Sequence, residues 1–204
     1  MMKDSAFEAA LNFVNKRFPN CDISILAGSA SRGEETDSSD LDIVIIDSKI
    51  SDFRESFEEF GWRIECFIHN FESVNRDFKS DRDKGRPVLA TMIFEGIVLK
   101  DNGQARMLKE FADNFIKEGP EPLSQEYINS SRYFMFDLLD DFIDAKNQEE
   151  AIITLNTLSV QLIDFILRLH GQWSGRGKTL VRSLNQFDGD MSRRYFMALD
   201  KFYK

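Results

Sequence analysis

The chain is predicted to be an α+β protein, with an N-terminal mixed sheet followed by a C-terminal helical bundle. Three observations predict this. Short apolar runs separated by turn residues fill the first half. Apolar residues at three- and four-residue intervals fill the second. The texture changes at Asp101-Asn102-Gly103, which places one domain at residues 1–103 and another at 104–204.

Along the first half, residues 5–16 carry Phe7, Ala10, Leu11 and Val14 at helical spacing, and Pro19-Asn20 closes the segment. Residues 23–27 form an apolar run that ends at Gly28, a first strand. Residues 40–46 form a second, apolar on both faces beyond its aspartates and so expected at the centre of a sheet. Residues 53–60 are predicted as a helix stopped by Gly61, residues 62–68 as a third strand, and residues 79–86 as a charged loop. Pro87 starts a helix where its missing N–H costs nothing. Gly96 ends that helix, and residues 97–99 give a short last strand.

Along the second half, Met107, Leu108, Phe111 and Phe115 mark a helix ended by Gly119-Pro120. Ser124 caps a second with Tyr127, Ser131, Phe134, Leu138 and Phe142 on one face. A third spans residues 149–170, and two shorter ones follow over 179–187 and 192–202. The order suits an up-down bundle.

Composition bounds the function. With 204 residues and 42% hydrophobic content, 19 of the residues being Phe, a packed globular core is expected. A net charge of −9 argues against a general grip on nucleic acid, which requires clustered Lys and Arg. A small or cationic partner fits better. The two cysteines, Cys21 and Cys66, lie in apolar runs and are expected as reduced, buried thiols. The amphipathic N-terminus does not resemble a signal peptide, and no apolar stretch is expected to reach the ~18 residues of a membrane span. The cytoplasm is therefore the expected compartment.

The most informative stretch is LAGSASRGEETDSSDLDIVII, residues 26–46. In an extended segment Asp40 and Asp42 project from one face, roughly 6–7 Å apart. Like charges that close persist most readily with a divalent cation between them. Gly28 permits close approach of backbone N–H groups to an anion, and the Ser29 hydroxyl can donate to phosphate oxygens. Arg32 can neutralise phosphate charge, or simply face solvent. The competing reading is a pair of aspartates entering a strand from a polar turn.

Ala27, Gly28, Ser29, Asp40, Leu41, Asp42 and Ile43 resemble the hallmark of the nucleotidyltransferase superfamily typified by DNA polymerase beta. The Ser29-Ala30-Ser31-Arg32-Gly33 and Ser39-Asp40-Leu41-Asp42 segments are similar to the small bacterial branch that includes antibiotic nucleotidyltransferases. That resemblance implies a third carboxylate on a later strand, a role that falls to Glu65. An acid between Ile64 and Cys66 is costly to bury unless paired or metal-bound, the alternative being an edge strand with one wet face. The resemblance also implies two Mg²⁺ ions, ATP or another nucleoside triphosphate as co-substrate, and a small-molecule acceptor such as an aminoglycoside. By the pattern of kanamycin nucleotidyltransferase, Asp137 is the candidate general base, with a solvated acidic face as its alternative.

Gly175-Arg176-Gly177-Lys178-Thr179 echoes half a P-loop without its first glycine or its strand. Lys178 remains a candidate triphosphate contact. His69 and His170 are too isolated to suggest zinc, and the single residue between Arg168 and His170 does not suit a ribonuclease motif. The expected activity is transfer of AMP to a hydroxyl of a small molecule, in a cleft between the halves. Nucleotidylation of a protein or RNA, and a non-catalytic nucleotide-binding module, are the alternatives. A homodimer whose second subunit completes the cleft is left open.

Overall fold

The computed structural model describes residues 4–204 and is α+β, with an N-terminal mixed five-stranded sheet followed by helices. Helix α1 (Ala6–Arg17) is capped by Ser5, whose hydroxyl accepts from Glu8 N. Strands β1 (Ile23–Ala27), β2 (Leu41–Ile46), β3 (Phe53–Glu59), β4 (Trp62–His69) and β5 (Ile97–Asp101) lie in the order β3-β4-β2-β1-β5. Only β2 and β4 pair in parallel.

β2 is the central strand, with β4 and β1 on either side of it, as its apolar run beyond Asp42 suits. Leu26, Ile43, Ile45, Ile64, Cys66 and Ile68 pack against Ala9, Ala10, Phe13 and Val14 of α1. Side chains alternate faces, so this register turns Asp42, Glu65 and their neighbours to the opposite side.

Residues 53–60 are not a helix. Phe53–Glu59 is the outer strand of a hairpin with β4, closed at Phe60 (φ 54°) and Gly61 (φ 78°). Two successive positive φ values match a tight hairpin turn whose twist suits the flanking strands. Residues 79–84 are not a loop either, because helix α2 (Phe71–Lys84) continues through them, anchored by buried Val74 and Phe78.

Helix α3 (Val88–Glu95) is followed by β5 and then by α4 (Ala105–Glu118). Two compact units result: residues 4–81 with 87–118, and residues 82–86 with 119–204. The division therefore falls after Glu118 rather than after Gly103. Phe115 packs 4.6 Å from Phe78, and Lys109 Nζ donates to the Phe94 and Gly96 carbonyls, so α4 belongs with the sheet.

The second unit contains α5 (Gln125–Ile143), α6 (Gln148–Leu169), α7 (Lys178–Phe187) and α8 (Gly189–Tyr203). Ser124 caps α5 through Tyr127 N. Ile163 and Leu167 pack on Leu180 and Leu184. Residues 82–86 run into this unit as a strap. Ser174 N donates to Gly85 O at 2.8 Å, Arg86 meets Asp164 at 3.4 Å, and a Cβ on Gly85 would overlap the Arg168 guanidinium.

α6 departs from the sequence expectation about membrane spans. Its 22 residues include an 18-residue window of mean hydropathy 1.5, long and apolar enough by length and composition to cross a bilayer. No unbroken apolar run exists there. Thr154, Asn156, Thr157, Ser159 and Gln161 interrupt it without charge, and the average stays high.

Candidate functional site

The site lies in the sheet unit, where β1 ends and β2 and β4 run side by side. Ala27 pairs with Asp42, and Asp42 pairs with Glu65. Paired residues on adjacent strands project from one face, about 4.8 Å apart. The two carboxylates are therefore neighbours by register, and Asp40 sits just before β2.

Gly28 turns the chain out of β1 with φ 70°, a conformation that costs glycine nothing. A Cβ there would overlap Asp42 Oδ2 and stand 3.1 Å from Asp42 Cγ, so the turn lies directly against that carboxylate. A 3₁₀ turn over Ala30–Arg32 follows. Ser31 Oγ donates to Gly28 O at 2.9 Å, and Arg32 N and Glu34 N both converge on Ser29 O. Ser29 Oγ lies 3.5 Å from Ser39 Oγ, which in turn accepts from Thr36 N at 2.9 Å. Arg32 is held by Glu34 at 3.0 Å and Glu95 at 3.3 Å.

Burial pushes the Asp42 carboxyl up to about 6, helped by the charges of Asp40 and then Glu65 and opposed by Arg54 and Arg32. The site is thus short of positive charge at its most enclosed acid. Glu65 is different. Arg54 Nε donates to Glu65 Oε1 at 2.9 Å, and Arg54 Nη2 meets Oε2 at 2.5 Å, a two-pronged pair. The Arg54 guanidinium also stands 4.7 Å from the centre of the Phe67 ring.

Among the described residues, no three Asp, Glu, His or Cys side chains are gathered closely enough to hold a metal ion by themselves. Asp40 and Asp42 still suit Mg²⁺, which takes one or two carboxylates and completes its shell with water and phosphate oxygens. Glu65 stands beside them in register with its oxygens engaged by Arg54. A cavity of about 390 Å³ opens next to the acids, lined by Asp40, Ser56, Glu58, Arg63 and Glu65 with Phe57 and Ile64.

The structure brings together Gly28, Ser29, Arg32, Asp40, Asp42 and Glu65. Asp137, exposed on α5, and Lys178, exposed at the start of α7, belong to the helical unit. Sequence reasoning missed Arg54 and Arg63. Arg63 Nη2 donates to Ser38 O at 2.7 Å and ties the loop before Asp40 to β4. Both would have been found by reading Arg54, Ser56 and Glu58 as one face of an alternating strand closed at Phe60-Gly61. Cys21 and Cys66 are free and buried, as expected.

No family model and no curated protein matches the chain. Among solved structures, it is similar to a nucleotidyltransferase-like protein from Exiguobacterium sibiricum 255-15, at 15% identity and a TM-score of 0.44. The alignment covers 93% of this chain and 65% of that one, so this chain spans less than two thirds of that protein's length.

Proposed function

We propose that the chain transfers a nucleoside monophosphate, AMP, from its triphosphate to a hydroxyl of a small molecule. The observation that carries this reading is the Gly28 turn pressed against Asp42, with Asp40 preceding it and Glu65 in register beside it. A glycine turn packed directly against clustered acids suits a triphosphate bound through a divalent cation.

Asp40 and Asp42 are the proposed Mg²⁺ ligands and Glu65 the third acid of the set. When bound, Mg²⁺ would neutralise phosphate charge and steady both the attacking and leaving oxygens. Ser29 would donate its hydroxyl to the terminal phosphates, and Arg32 would add positive charge beside them. The acceptor hydroxyl attacks the α-phosphorus, a new P–O bond forms, and the bond to pyrophosphate breaks. The acceptor's proton passes to a base.

The cavity beside Asp40 and Glu65 is lined by Asp40, Glu58 and Glu65 against Arg63, with Arg54 balancing Glu65, and the acid left over favours a cationic acceptor such as an aminoglycoside. Incubation with α-labelled ATP, Mg²⁺ and a panel of hydroxylated amines tests the proposal. Label should pass to an acceptor with release of pyrophosphate, and Asp42→Asn should abolish it. Absence of both products with every acceptor counts against the reading.

One observation favours a second reading, a nucleotide-binding module without turnover. The Arg54 pairing already satisfies Glu65. ATP binding that is independent of Mg²⁺ and indifferent to Asp42→Asn would support the module over the enzyme.

A further inference from the structure

Helix α5 has 19 residues and none of them is buried. It nevertheless carries two apolar stripes. One (Ile128, Ser131, Met135, Leu138 and Phe142) is half-buried, with Ser131 and Met135 lining a cavity shared with Gln161 and Phe165 of α6, while Tyr127 and Phe134 at its edge are 51% and 57% exposed. Phe142 stacks edge-on against Phe202 of α8 at 5.4 Å. The other stripe (Phe136, Leu139 and Ile143, with Tyr133 beside it) repeats at three and four residues on the opposite side. Tyr133 is 68% exposed, Phe136 61% and Ile143 68%. Arg132, Asp137, Asp140 and Asp141 stand among these side chains, and the outer apolar stripe is left exposed.

We propose that the outer stripe of α5 is the dimerisation surface of this chain, packing antiparallel on α5 of a second copy about a two-fold axis through Phe136. Self-complementarity selects a second copy as the occupant. Arg132 and Asp140 stand one turn before and one turn after Phe136, both exposed, and among the described residues neither makes a side-chain ion pair. An antiparallel two-fold brings Arg132 of one copy level with Asp140 of the other, and Tyr133 level with Leu139. An isologous contact requires that kind of symmetry in one patch.

The area agrees. The four apolar side chains expose roughly 450 Å², the size of the largest apolar patch on a typical monomer, which is often functional. Doubled across the axis and rimmed by Asn129, Arg132 and Asp140, it reaches about the 1,200 Å² lower bound of a stable interface. The inference does not rest on the chemistry proposed for the sheet unit, although the candidate base Asp137 stands next to Phe136 on the same helix.

Sedimentation of the full chain across the micromolar range should give twice the chain mass. Phe136→Glu, which sets two like charges face to face on the axis, should weaken association about a hundredfold. Its circular dichroism and melting should stay those of the parent. Phe136→Cys should cross-link between copies under mild oxidation, since Cys21 and Cys66 are buried. A monomer at all concentrations overturns the proposal, as does a dimer indifferent to Phe136→Glu. Co-sedimentation of a monomeric chain with phosphatidylcholine vesicles would assign the stripe to lipid instead.

Discussion

Arg54 holds both carboxylate oxygens of Glu65, from the neighbouring strand of a hairpin, beside the acids proposed to bind Mg²⁺. Arg54→Ala should leave Glu65 unpaired and deepen the negative potential at Asp42. Mg²⁺ affinity, followed by calorimetric titration, should rise severalfold. The stability loss should stay within about 1 kcal/mol, because the guanidinium is mostly solvated. Unchanged affinity would mean that Glu65 does not face the ion.

Asp42 predicts a pH effect of definite sign. Its native carboxyl keeps a proton up to about 6, whereas the unfolded chain releases it near 3.8. Between those values the native state binds more protons, so this group removes stability as pH rises through the window. Asp42→Asn abolishes the effect. The variant should melt higher than the parent at pH 7.5, by the equivalent of about 1–2 kcal/mol after allowing for partial solvation, and should lose that advantage below pH 4. Calorimetric scans of both proteins at the two pH values check this.

Gly28 and Gly33 make a matched pair, with φ of 70° and 65°. Gly33→Ala meets nothing within 4 Å and should cost only about 1 kcal/mol of backbone strain. Gly28→Ala should cost about 2–4 kcal/mol, because its Cβ must displace the Asp42 carboxylate as well. Urea unfolding ranks the two. Equal losses would show that Asp42 yields freely.

Burial raises the Cys21 thiol and pushes Cys66 up to about 12, which keeps both from forming thiolate near neutrality. Ellman's reagent at pH 8 should find no fast-reacting thiol in the native chain and two after denaturation. A rapid native reaction would mean that the sheet opens readily around one of them.

Much of this was legible in the sequence, for identifiable reasons. Ser5 and Ser124 announce their helices because a hydroxyl followed by an apolar periodic run satisfies an orphan N–H. Residues 41–46 announce a central strand because, beyond Asp42, the run Ile-Val-Ile-Ile suits burial on both faces. The hairpin was obscured because Phe53, Phe57 and Phe60 also stand at helical spacing. The decisive feature, Phe60 at positive φ before Gly61, is a non-glycine in a glycine's conformation. That misreading hid Arg54, and with it the charge that balances Glu65. The tail of α2 was hidden for another reason: beyond Phe78 it has no apolar residue, and it stays helical by continuation from an anchored first half.

The strap at residues 82–86 makes the backbone pass between the two units three times, at 81/82, 86/87 and 118/119. Scission after Glu118 alone would leave residues 82–86 on the chain of the sheet unit, joined to residues 119–204 only by non-covalent contacts. A polypeptide beginning at Gly119 would lack the Gly85 carbonyl that receives Ser174 N and the arginine that meets Asp164. The helical half is therefore completed by a piece of sequence that lies inside the other half, and residues 119–204 alone are not the whole of that unit.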